Sequence, residues 1–208
     1  MHARVRSGLR IMKEISKALI FFFLFVIAVP LIIGVIQEVP AGNILSFLAS
    51  TFLLQAAAPP LGGPLGLSQM VVLAVMASFA IGMVLAILEI CESLALTSER
   101  VSGWIEKVGK KMERYPAIQK YGAISCTLIA WIPGIGLYGT PIIAWILGWN
   151  RWLVVVFTTA GFVIAAAFVL FVAQHIHSIE DVFILGVAGA AGVIALILAG
   201  KYARKRAS

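Results

Sequence analysis

Gly134-Ile135-Gly136-Leu137-Tyr138-Gly139 spells out G-x-G-x-x-G, the spacing that lets a backbone approach a dinucleotide pyrophosphate. That chemistry needs a preceding strand in a soluble βαβ unit and an acidic residue about 20 positions further on. The chain supplies neither, so the glycines are read as a hairpin tip and no cofactor is expected. Thr140-Pro141, directly after them, has another use. Thr suits a helix N-cap, and Pro is favoured at the first helical position because its missing N–H costs nothing there. A half-helix starting at Thr140 would present free N–H groups and a positive dipole end, which together make an anion site. The competing use is structural: Thr140 caps its helix against a neighbouring backbone.

Glu89 and Glu92 lie one turn apart at the end of an apolar segment. A carboxylate inside the membrane is costly and marks function, whereas one at the boundary pairs with nearby Lys or Arg. Pairing with the basic helix downstream is expected for Glu92. Glu89 stays open between the two uses, a proton or cation site or an interfacial ion pair. Arg151 either attracts a phosphate headgroup or marks the inner boundary. His175 and His177 lack the carboxylate and cysteine company of a metal site, so they read as a solvated loop and no metal is expected. Asp181 is the only Asp, which excludes an aspartyl dyad, and no H-E-x-x-H or G-x-S-x-G occurs. The chain is not expected to be an enzyme. Cys91 and Cys126 fall in or beside apolar segments and read as small buried hydrophobes, with no disulfide framework.

The elements that hold these residues are those of a membrane protein. The chain is 62% hydrophobic and 12% charged, whereas soluble domains are about 25% charged. Residues 18–36, 69–91, 152–173 and 182–200 are apolar stretches long enough to cross a hydrocarbon core of about 30 Å. The first is retained rather than cleaved as a signal peptide, since no A-x-A site follows it. Pro30 should kink it, and Ser68 is a fitting N-cap for the second. Gly186, Gly189 and Gly192 in the fourth suit close helix packing in lipid.

Two further apolar segments are broken. Residues 44–58 reach only about 22 Å as a helix before Pro59, Pro60, Gly62, Gly63 and Pro64. Residues 121–148 are interrupted by Pro133, Gly134, Gly136, Gly139 and Pro141. Both are expected to be re-entrant hairpins. Between them, Val101, Trp104, Ile105, Val108, Met112 and Tyr115 mark one face of a basic amphipathic helix, suited to the membrane interface. With the N-terminus inside and both hairpins returning to the face they enter, all 16 Lys and Arg fall on the inner side. Full crossings by the broken segments would split the basic clusters between faces. The net charge of +7 therefore reads as topology rather than nucleic-acid binding.

A shift of 82 residues lays Leu65–Val75 on Leu147–Phe157, with Ser68 on Asn150 and Pro59 on Pro141. One hairpin would enter from outside and the other from inside. The two units would then be an inverted repeat, a recurring transporter plan.

Residues 116–168 resemble the small multidrug export protein family, a relative of the DedA membrane proteins. The resemblance rests on Lys120-Tyr121-Gly122, Pro133-Gly134-Ile135-Gly136, Tyr138, Ala144-Trp145, Leu147-Gly148 and Arg151. It implies a DedA-like fold with two opposed re-entrant hairpins. In the first half Pro60 and Gly66-Leu67-Ser68 fit the family. The Glu and Arg that the family places in its first hairpin are missing, and Gln55 is the only polar group from Leu53 to Pro60.

The expected fold is an all-α polytopic membrane protein with four transmembrane helices and two opposed re-entrant hairpins. Residues 1–208 form one transmembrane domain: a first unit at 1–95, an interfacial helix at 96–116, a second unit at 117–200 and a basic tail at 201–208. The expected location is the cell membrane, with both termini cytoplasmic. The expected function is a transporter or flippase for an amphiphilic substrate such as a lipid phosphate. Gln55, Pro59, Pro60, Pro133, Gly134, Gly136, Tyr138, Gly139, Thr140, Pro141 and Arg151 are its candidate contacts. A lipid phosphate would meet Gly136, Tyr138, Thr140 and Arg151 in one polar cavity. An exporter of small cations, using Glu89, and a non-transporting scaffold are the alternatives. Expected partners are membrane lipids and an anionic-headgroup or amphiphilic substrate, without nucleic acid; a homo-oligomer stays open.

Overall fold

Proline dictates how the first long helix is wound. α1 (His2–Phe21) passes into a π-helical segment, Phe22–Ala28, and then into α2 (Val29–Ile36). Pro30 has no N–H to donate and its ring crowds the preceding turn. In the computed structural model, which describes residues 2–97, 103, 116–131 and 136–175, the helix responds by widening. π winding pairs an N–H with the carbonyl five residues back, and the Val29 N–H indeed donates to the Leu24 carbonyl. The next pair in that register is Pro30 with Phe25, and Pro30 has no proton to give. The Ser78 hydroxyl of α4 (Gln69–Thr97) donates to the Phe25 carbonyl instead. Gly82, one turn further along α4, permits the approach: a Cβ there would stand 2.8 Å from Phe25 Cβ and Val26 Cγ2.

Three helical stretches are long and apolar enough to cross a membrane: Met12–Ile36, Gln69–Ala95 and Arg151–Ala173. They coincide with the first three expected spans, and the first starts earlier because Lys13, Glu14 and Lys17 continue its helix. α4 is the central element. Its most apolar window is 72% buried, against 17% in Met12–Ile36 and 39% in α7 (Arg151–His175). A helix that is apolar all round belongs in an interior. Val72, Val75, Met76 and Phe79 of α4 accordingly join Val26, Ile44, Phe47 and Phe162 in one core. Val35, Leu53, Met70 and Trp152 point outward, as suits a surface solvated by lipid. Met1–Leu170 form one compact unit and Phe171–Ser208 a second, of which the end of α7 is described.

The broken segments fold as short pieces. α3 (Ala41–Leu54) ends at Gln55, whose φ of 52° lies in the left-handed region, and 3-10 turns follow at Gln55–Ala57 and Pro59–Gly62. α5 (Pro116–Ile129) and α6 (Gly136–Ile146) flank the second break. α3, the longest of these together with α5, has 14 residues and is about 21 Å long, short of a hydrocarbon core of about 30 Å.

The 82-residue correspondence extends to the backbone. Gly66 and Gly148 both take positive φ, 73° and 69°. Leu67 N–H donates to the Gly62 carbonyl and Gly66 N–H to Gly63. In the same pattern Trp149 N–H donates to Ala144 and Gly148 N–H to Trp145. This is the Schellman turn, in which a left-handed residue at C′ lets two helix-end carbonyls be satisfied. The caps that follow also correspond. Ser68 Oγ accepts from Val71 N–H at 3.4 Å, and Asn150 Oδ1 accepts from Trp152 N–H at 3.0 Å and Leu153 N–H at 3.3 Å.

No strand occurs among the described residues. The amphipathic face from Val101 to Tyr115, Pro133, Gly134, His177, the 182–200 span and the basic tail lie outside them.

Candidate functional site

Three helices bring five charged side chains together. α1 supplies Glu14 and Lys17, one turn apart, and α4 supplies Glu89 and Glu92, also one turn apart. α7 supplies Arg151, its first residue, with Asn150 capping the helix immediately before it. A cation at a helix N-terminus opposes the dipole, and the two carboxylates of α4 offset that conflict. Arg151 Nη2 donates to Glu89 Oε1, and Arg151 Nη1 stands 3.5 Å from Glu92 Oε1. The guanidinium also sits 6.0 Å from the centre of the Phe21 ring, within cation–π range. Lys17 Nζ is 2.7 Å from Glu14 Oε2 and 4.0 Å from Glu89 Oε2.

Burial ranks these groups. The Glu89 side chain is 2% exposed, whereas Arg151 is 29%, Lys17 40% and Glu92 44% exposed. A buried ion pair gains little net stability, but losing one partner strands the other charge at a cost of several kcal/mol. Oxygen atoms of Glu14, Glu89 and Glu92 all lie within 4.8 Å of one another. Three carboxylates meet Lys17 and Arg151 here, with Lys13 beside Glu14. Glu89 Oε2 and Arg151 Nε are buried without a hydrogen-bond partner among the described residues.

Glu89 and Glu92 pair with Arg151 of α7, while the basic helix downstream of α4, the partner expected for Glu92, lies outside the described residues. Arg151, expected to draw in a headgroup, has its guanidinium committed to two carboxylates. Sequence reasoning singled out Glu89, Glu92 and Arg151 but passed over Glu14 and Lys17. The available signal was that Glu14 is the only acidic residue in the basic N-terminal cluster.

The hairpin residues divide differently. Tyr138 O–H donates to the Phe52 carbonyl at 2.8 Å, tying α6 to the end of α3. Gln55 and Pro59 are buried in the first break and Pro60 is exposed. Thr140 does not cap α6: it lies inside the helix, and its buried hydroxyl donates to the Gly136 carbonyl one turn back. Pro141 is likewise an interior residue, tolerated as prolines in membrane helices are. The expected cavity of Gly136, Tyr138, Thr140 and Arg151 therefore loses two polar groups, Thr140 to its own helix and Arg151 to the glutamates.

No protein family model, curated protein or solved structure matches the chain. The ionic cluster and the Tyr138–Phe52 tie are what its geometry offers. The cluster can hold or exchange a positive charge, and the tie couples the two broken segments.

Proposed function

We propose that this chain is a membrane transporter or flippase that moves an amphiphilic substrate along its two interrupted segments. The observation that carries the reading is the meeting of Lys17, Glu89 and Arg151. Lys17, near the start of the apolar span Met12–Ile36, meets Glu89 near the end of the span Gln69–Ala95. Phe25, further along the first span, meets Ser78, so these helices run in opposite directions. In this reading the chain between them, which includes α3 and the 3-10 turns, leaves and returns at one end. Arg151 opens α7 on the side where α4 finishes, and in this reading α5 and α6 belong to a second re-entrant segment. Re-entrant segments that meet inside the bilayer are a transporter plan, and the Tyr138–Phe52 bond supports contact between them.

The matching turns at Gly66 and Gly148 support an internal duplication, inverted if both segments re-enter. In this reading the protein has a DedA-like plan in the cell membrane with both termini cytoplasmic, and Lys and Arg gather on that side.

A small organic cation is the second reading, and one specific observation favours it. Arg151 and Thr140 are engaged internally, which removes two ligands from an anionic headgroup, while Glu89 is a buried carboxylate. Flux of a fluorescent lipid phosphate and of a cationic dye in proteoliposomes tests both. Transport of either, slowed by Tyr138→Phe, supports the proposal. Neither moving faster than in protein-free liposomes supports a scaffold.

A further inference from the structure

We propose that the π segment Phe22–Ala28 is a joint with two settings: π-wound, it holds Lys17 and Ala18 against α4, and rewound as α-helix it turns them away. The joint itself is independent of the transport reading. Its use in opening a path for substrate would rest on that reading.

The phase of the buried residues calls for the extra winding. Ala18, Val26, Pro30 and Gly34 are all buried, while Phe23, Leu24 and Ile32 point outward. The buried positions recur at multiples of four, whereas an α-helix repeats every 3.6 residues, about 100° per residue. In continuous α winding Gly34 would lie about 160° around the axis from Ala18, so one of the two would leave the protein. π winding closes each turn one residue further on. Taking in one residue that way brings the pair within about 60° of each other, inside the width of one apolar stripe. Neighbouring helices fix both ends. A Cβ on Gly34 would stand 2.7 Å from Ile44 Cγ1 of α3, and Lys17 Nζ is 4.0 Å from Glu89 Oε2 of α4.

Each setting has something to hold it. The uncommon π winding is held from outside, by the Ser78 hydroxyl on the Phe25 carbonyl, by Lys17 beside Glu89 and by the burial of Ala18. α winding regains regular backbone pairing and gives up those three contacts. Rewinding moves the chain before Phe22 by about 100° and 1.5 Å. Ala18 and Lys17 then leave α4 while Arg151 keeps Glu89, which opens the seam between α1 and α4 at the ionic cluster. Phe22 moves with them: its ring lies 6.0 Å from that of Phe52, whose carbonyl accepts from Tyr138 O–H. The joint thus connects the ionic cluster with the two broken segments.

Alkylation of an Ala18→Cys variant by N-ethylmaleimide, in the purified full chain in detergent, reads the joint. Cys126, fully buried in α5, reports global opening in the same sample, with labelled sites identified by peptide mass spectrometry. Position 18 should react about ten-fold faster than Cys126, because local rewinding costs less than unfolding. Ser78→Ala should speed it about five-fold more, the factor of one lost hydrogen bond. Lys17→Gln should act in the same direction. Deleting Leu24, an outward residue of the segment, removes the extra residue and leaves both flanks in phase as a plain α-helix. In that background position 18 should slow to the rate of Cys126, and Ser78→Ala should no longer set the two apart. A deletion variant that fails to fold, or that keeps position 18 as reactive as in the parent, overturns the joint. So does equal reactivity of the two sites in the parent, or a parent rate that Ser78→Ala leaves unchanged. No flux is measured, so inactive liposomes would count against the transport reading alone.

Discussion

The Ser78 hydroxyl bonds the Phe25 carbonyl, the acceptor that Pro30 leaves without a donor in the π register. One helix thus repairs a defect that proline writes into another. π segments inside helices often mark functional positions, and this one lies against the central helix. Ser78→Ala should cost about 1–2 kcal/mol, the usual range for leaving a buried acceptor unmatched or for a hydrogen bond between membrane helices. Pro30→Ala restores an N–H, so the double variant should lose less than the two single variants summed. A cycle of thermal unfolding in detergent reads this coupling. Additive losses would mean that Pro30 and Ser78 act independently.

Arg151→Gln should destabilise the protein by about 3 kcal/mol, because it leaves Glu89 as an uncompensated buried charge. Glu89→Gln combined with Arg151→Gln should recover part of that loss. Arg151→Lys should not substitute for Arg, since one ammonium cannot reach both Glu89 and Glu92 as the guanidinium fork does. Unfolding midpoints of the four proteins decide the matter. A double variant as unstable as the summed singles would exclude the pairing.

Gly66→Ala and Gly148→Ala should each cost about 1–2 kcal/mol, since both positions need left-handed backbone. The two losses should be of similar size because the turns share one hydrogen-bond pattern. Gly42→Ala is the control: it lies in α3 and a Cβ there meets nothing within 4 Å. That change should be neutral or slightly stabilising.

Single cysteines at Lys13, Glu38 and Ser68, in a background lacking Cys91 and Cys126, test the path of the first broken segment. Glu38 and Ser68 should react with an impermeant maleimide from one side of the membrane and Lys13 from the other. If Ser68 reacts together with Lys13, the segment crosses and the re-entrant reading fails.

Much of this protein is legible locally. Apolar runs at 18–36, 69–91 and 152–173 appear as long helices because length and hydropathy are properties of each segment alone. Ser68 and Asn150 cap the helices their positions suggest, since a cap needs only a side-chain oxygen and the next turn of backbone. The Leu-Gly step shared by residues 65–66 and 147–148 encodes the same turn twice, because only local backbone conformation is asked of it.

Charge pairing is not local. Arg151 and Glu89 are 62 residues apart in sequence, and their meeting depends on which helix ends finish on the same side. Helix direction brings both glutamates to Arg151 of α7 and recruits Glu14 and Lys17 from α1. Thr140 fails for a related reason. Thr-Pro signals a cap only where a helix begins, and within the described residues α6 already starts at Gly136. Once the helix has begun, the Thr140 hydroxyl takes the nearest acceptor, the carbonyl one turn back. What each segment becomes follows from its own residues, while which charges share a site follows from how the segments are assembled.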